Sequence, residues 1–373
     1  CVAFVFGLAA ALQMTSTATT RTRWGIVAIW VVFSFFEFKE GFVRDDSGHA
    51  LIYFVALMGG FFAFVWRPGA QLVGLALASA LLVFALAAED SSFSALIDPG
   101  GNANTAISQI HDVMSKPKRN AIIAHGRAAI EAALPLDPQT LSLLRGHTVH
   151  VGPYETAVAW AYRLDWRPLP VFQSYTAYTT GLDQMNANAL SSPGAPERIL
   201  RNLDTGIDTR VLEFDEGDSN RTILCRYREL RTTGAWQVLG GGPNRCEPPV
   251  ALETVHAHWG QKVDVPAPSN DHSFVFVRIG GVAVGGLERL ESALYKSAMR
   301  MVLLDGEPHR LVSGTATDGL LLRAPVGVDF TAPFNFAPNS LTIAVSKEGD
   351  STASGTPITF AFFSQSVSVG PRY

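Results

Sequence analysis

Glu37-Phe38-Lys39-Glu40-Gly41-Phe42-Val43-Arg44-Asp45-Asp46-Ser47-Gly48-His49 is a charged stretch set between two long uncharged ones. Trp24 to Phe36 precedes it and Ala50 to Trp66 follows it, and neither contains a charge. With flanking residues, each reaches the roughly 17–20 residues that a bilayer crossing needs. The reading decides the fold, because it divides the chain near Ser91 into a bilayer part and a large part outside it.

Working outward, four segments qualify as spans: 1–13, 22–38, 50–66 and 70–88. Lipid offers the backbone no hydrogen-bond partner, so helices are expected there. Small residues in the fourth segment favour close helix approach. Arg21 and Arg23 in the first loop and Arg67 in the third put those loops on the cytoplasmic side. The net acidic Glu37–His49 loop, and everything after Glu89 and Asp90, then lies outside. The expectation is a multi-pass plasma-membrane protein with its C-terminal domains extracytoplasmic and the lipid bilayer as a partner. The chain opens at Cys1 inside an apolar run, which reads as a fragment cut within a helix; a lipid-modified cysteine is the rival reading.

Across 373 residues the apolar content is 47% and the charged content 17%, and the net charge is -4. That balance shows no nucleic-acid footprint. Of the 29 basic residues only Arg21, Arg23, Lys39, Arg44 and Arg67 fall within 1–90.

Beyond a linker at 89–105, Ala106 to Ala133 has a helical pattern, and Asp137-Pro138 starts a short helix with Pro just inside it. Strands are expected at Thr148–Val151, Pro170–Ser174 and Arg198–Leu200, with helices at Tyr154–Tyr162 and Gly181–Leu190 between them. This βαβαβ order predicts an α/β domain over 106–250 with a parallel sheet. Ligands of such sheets sit at the carboxyl ends of strands. One rim is then Gly152 to Glu155, and the other holds Gln173, Ser174, Tyr175, Tyr178, Thr179 and Asp183. Gln173, Tyr175 and Tyr178 lie in a run dense in aromatics and hydroxyls that suits sugars; a packed, hydrogen-bonded turn explains it equally well.

Cys225 and Cys246 are expected to pair outside the cytoplasm, closing a loop worth about 3–4 kcal/mol. Asn220-Arg221-Thr222 fits an N-glycosylation sequon. From 255 to 373, short alternating strands and turns such as Asp305-Gly306 predict an antiparallel β-sandwich or jelly roll. His256 and His258 share one side of a strand, but no third metal ligand is placed.

Two readings of the charged loop stand together. One is a polar turn between spans. The other is a reaction site: Asp45 and Asp46 repel, so one can serve as a base, or the pair can hold a divalent metal; no other cofactor is implied. Arg44 and Lys39 would neutralise a pyrophosphate leaving group, and His49 could move a proton.

Phe38 to His49, followed by Trp166-Arg167-Pro168-Leu169-Pro170-Val171-Phe172-Gln173-Ser174-Tyr175, resembles a group of poorly characterised bacterial polytopic membrane proteins. These are loosely similar to O-antigen polymerase and ligase-type enzymes. The resemblance implies that outward-facing Arg44 and His49 handle a lipid-pyrophosphate donor; Asp45-Asp46 has no counterpart in those enzymes. The expected function is therefore envelope polysaccharide biosynthesis by glycosyl transfer from a lipid-linked donor. The alternative is an anchored, non-enzymatic glycan- or protein-binding envelope protein.

Overall fold

The computed structural model describes residues 19–41, 53, 56, 99–203, 216–286, 288–289, 298–324, 340–347 and 357–368. The chain divides into two compact units, and the boundary falls after Arg119.

The first unit contains helix α1 (Thr20–Gly41) and helix α2 (Pro99–Met114). The uncharged core of α1 runs from Trp24 to Phe36. At 1.5 Å per residue it is about 20 Å long, against a hydrocarbon layer of about 30 Å. Lengthening it brings in Arg21 and Arg23 at one end and Glu37, Lys39 and Glu40 at the other. Among the described residues no helix is long and apolar enough to cross a membrane. The expected α-helical transmembrane region, the multi-pass plasma-membrane location and the bilayer partner are corrected accordingly. Of the other three expected spans only Tyr53 and Ala56 are among the described residues.

Helix α3 (Lys116–Ala133) crosses the unit boundary. The second unit continues with α4 (Pro138–Leu144), β1 (Thr148–Gly152), α5 (Ala157–Ala161), β2 (Asp165–Trp166), α6 (Thr180–Ser191), β3 (Arg198–Asn202), α7 (Gly217–Arg226), β4 (Tyr227–Thr232) and β5 (Trp236–Gly241). These strands form one sheet in the order β2-β1-β3-β5-β4. β1 runs parallel to β2 and β3, while β5 pairs antiparallel with β3 and β4. Pro168 and Pro170 lack N–H donors, which argues against the strand expected at 170–174. There the backbone of Val171 pairs instead with the side-chain amide of Asn186, at 2.9 and 3.0 Å.

The two faces of this sheet are covered differently. Val149, Val151, Leu200 and Val238 pack with Leu136, Leu144 and Val158 from α4, α5 and the segment before α4. Asp137 caps α4, accepting from Gln139 N and Thr140 N at 2.9 and 3.0 Å. On the other face Ile199 and Leu239 meet Leu190, Ile223, Leu224, Phe274, Phe276 and Leu321. The last three belong to the C-terminal sheets.

Those sheets contain β6 (Val250–Ala257), β7 (Val263–Asp264), β8 (Ser273–Gly280), β9 (Arg300–Leu304), β10 (Glu307–Leu311), β11 (Leu320–Arg323), β12 (Thr342–Lys347) and β13 (Ile358–Ser366). One sheet has the order β10-β9-β12-β7 and the other β11-β8-β13-β6. Their shared interior holds Val275, Val277, Ile279, Val302, Ile343, Val345, Phe360 and Phe362. Strand β8 is buried on both sides, because successive side chains point to opposite faces. Its valines and Ile279 enter the sandwich, and Phe274 and Phe276 enter the contact with the five-stranded sheet. Asp305 and Gly306 both have positive φ and join β9 to β10 in a two-residue turn.

Candidate functional site

Helix α7 is ten residues long and is held at both ends by residues from elsewhere. Its preceding residue, Glu216, makes no side-chain cap. Asp183 of α6 does so instead, accepting from Asp218 N at 2.8 Å, Ser219 N at 2.9 Å and Ser219 Oγ at 2.6 Å. A carboxylate placed on the open amides of a helix N-terminus opposes the positive end of its dipole. Burial pushes the Asp183 carboxyl up, and these hydrogen bonds oppose that shift. At the other end Arg245 donates to Leu224 O and Tyr227 O, at 3.0 to 3.2 Å. Beside it the Cys225–Cys246 disulfide is formed.

The inner side of α7 meets the C-terminal sheets with little room. A Cβ on Gly217 would lie 2.6 Å from Gly319 O; before α6, one on Gly314 would fall 1.9 Å from Tyr178 O. Arg221 donates to Asp318 O at 3.0 Å, pairs with Asp218, and lies 4.4 Å from the centre of the Phe276 ring. Thr180 Oγ1 donates to Asp318 Oδ1 at 2.6 Å. Asp318 is 3% exposed and its Oδ2 has no partner among the described residues. Burial pushes its carboxyl up to about 6; the Thr180 hydrogen bond opposes this, and the Asp183 and Asp218 charges add to it. Asn220 is buried, so its sequon presents no accessible amide.

The outer side of α7 lines a groove of about 450 Å³. Asp218, Thr222 and Arg226 lie at successive turns of α7, and Gln184, Asn188 and Ser191 at successive turns of α6. Asn244 and Gln365 complete the wall. Gln365 donates to Glu247 O at 2.8 Å, while its Oε1 is buried without a partner among the described residues. Since Asp218 is paired with Arg221, the remaining cation is Arg226, which makes no ion pair among the described residues. Groove volume falls in the range of small-molecule sites.

Gln173 and Tyr175 lie at a second place, against the segment that follows the carboxyl end of β1. Ser174 N donates to Pro153 O at 2.9 Å, and Tyr175 meets Tyr154 edge-on at 6.0 Å. Tyr178 is set apart from them, against Gly314. The nearby His150 is buried; burial, helped by the Arg201 charge, lowers it to about 3 and keeps the ring neutral. Lys39 is in the last turn of α1. Arg44, Asp45, Asp46 and His49 lie outside the described residues. Among the described residues no group of three or more His, Cys, Asp or Glu is arranged to hold a metal. His256 instead meets Thr359 Oγ1 at 3.2 Å.

Of the groove residues, sequence reasoning singled out only Arg221 and Thr222, within a sequon, and Cys225, as a disulfide partner. Amides and hydroxyls spaced four and three apart on a helix look like any solvated face. Asp183, in the first turn of α6 and expected at a ligand-binding rim, caps α7 instead.

No family model matches the chain, and no curated protein or solved structure matches it. The expected membership in polytopic proteins resembling O-antigen polymerases and ligases is corrected by this and by the absence of a crossing helix among the described residues. Polysaccharide biosynthesis from a lipid-linked donor, the anchored envelope alternative, and lipid-linked sugar or envelope glycan as partners are corrected with it, because each requires that setting.

Proposed function

We propose that this protein binds a small polar ligand carrying a carboxylate, in the groove between α6 and α7. The observation that carries the reading is the groove's chemistry: beside the paired Asp218 and Arg221 it holds one cation without an ion pair among the described residues, Arg226, together with amides and hydroxyls and no aromatic ring. Arg226 would hold the carboxylate through charge-assisted hydrogen bonds. Asn188, Asn244 and Gln184 offer both donors and acceptors to the rest of the ligand. The pinning of α7 at both ends supports a site whose geometry exists before the ligand arrives.

The test is native mass spectrometry of the protein mixed with a pool of amino acids and hydroxy acids and a matched pool of their neutral amides. Adducts from the acid pool, absent for Arg226→Ala and for the amides, support the reading. Equal adducts from both pools would remove the role of Arg226.

A second reading rests on the Tyr154–Tyr175 contact beside buried His150. It puts a polar ligand at the carboxyl end of β1, with Gln173 and Tyr175 as contacts. Adducts that survive Arg226→Ala but fail with Tyr175→Ala would favour it.

A further inference from the structure

On the opposite face of the five-stranded sheet, two indole rings stand beside two arginines. Trp160 of α5 is 44% exposed and Trp166 of β2 is 42% exposed. They border a hollow of about 600 Å³ whose floor includes Ala159 and Leu164. A smaller hollow of about 380 Å³ adjoins it, and Arg127 and Arg163 line both. We propose that the larger hollow binds a flat aromatic anion, its ring against the indoles and its acid group between Arg127 and Arg163.

Three observations carry the proposal. The Arg127 guanidinium lies 5.0 Å from the centre of the Trp160 ring, which fixes it at the rim of the hollow. Its Nε is buried with no hydrogen-bond partner among the described residues. Neither Arg127 nor Arg163 makes an ion pair there, and the larger hollow contains no carboxylate; Glu131 lines only the smaller one.

Backbone geometry adds a fourth. Arg163 sits at φ 55, in the left-handed region that non-glycine residues seldom occupy. This conformation directly follows α5 and turns the chain toward β2. Exposed Trp flanked by Arg is also the composition that concentrates binding energy at recognition sites. This hollow is separate from the groove between α6 and α7, so the two proposals stand or fall independently.

The probe is 8-anilinonaphthalene-1-sulfonate, with uncharged N-phenyl-1-naphthylamine as its counterpart. Both are titrated against the protein by fluorescence, alongside Arg163→Gln and Arg127→Gln. Each variant is first required to show the wild-type thermal transition, so that a loosened core is not mistaken for a site. The expected result is saturable 1:1 binding of the sulfonate, about tenfold weaker in either variant, as the loss of one charge-assisted contact implies. The uncharged compound should bind at least as weakly as the sulfonate binds the variants. Absence of saturable binding, equal affinity for the two compounds, or wild-type affinity in both variants would overturn the proposal.

Discussion

The two sides of α7 differ in what they tolerate. Toward the C-terminal sheets the contact is close enough that Gly217 has no room for a Cβ. Toward α6 the same ten-residue helix borders an open polar groove. The difference separates structure from recognition on a single element. Residues whose loss leaves a void or an unpaired buried group belong to the first side. Those whose loss changes only what the groove can hold belong to the second.

The largest effect should come from Phe276→Ala, on the packed side. The ring stacks on Phe363 at 5.2 Å and lies under Arg221. Its removal should cost about 3–5 kcal/mol, read as a lower urea midpoint with an unchanged slope. If the contact is as close as described, the five-stranded sheet and the sandwich should lose stability together. Separate transitions would break the comparison.

Next comes the disulfide at the end of α7. Replacing Cys225 and Cys246 together with Ala should cost about 3–4 kcal/mol from the freed loop alone. The same urea titration, with and without reductant on the wild type, checks this.

Third is a pH effect. The folded Asp318 carboxyl titrates at about 6, above its value in an unfolded chain. Between the two values the folded protein keeps a proton that the unfolded chain has lost. Stability from this group is therefore present at about pH 4 and lost as pH rises to about 6, on the order of 3 kcal/mol in all. Asp318→Asn keeps an acceptor for Thr180 and should flatten the fall in thermal midpoint over that window. Some slope should remain, because the Asp183 carboxyl is shifted in the same direction. An unaltered slope in the variant would contradict the assignment.

How much of this was legible in the sequence depends on how local each signal was. Asp305-Gly306 announces its turn because both residues tolerate positive φ, and the turn is there. The period of β8 announces a strand, with phenylalanines alternating against valines. What that period cannot tell is that the two faces meet different partners. The run at Pro170–Ser174 looked extended, yet its prolines withhold donors and Asn186 takes the backbone of Val171. The apolar run at Trp24–Phe36 reached span length only by counting charged flanks. Asp183 and Arg245 hold a helix distant from each in the chain, and no local pattern reports such a contact.

The smallest effect on stability, and the most direct test of the groove, belongs to Arg226. Arg226→Ala should change stability by no more than about 0.5 kcal/mol, as for a side chain outside the packed core. The measurement is the thermal midpoint of the wild type and of this variant across a panel of small polar carboxylates. At a hundredfold excess over its dissociation constant, a true ligand adds about 2.7 kcal/mol. That should raise the wild-type midpoint by roughly 5 °C or more and leave the variant's nearly unchanged. A panel that shifts neither protein, or shifts both equally, would contradict a carboxylate-binding groove on the open side of α7.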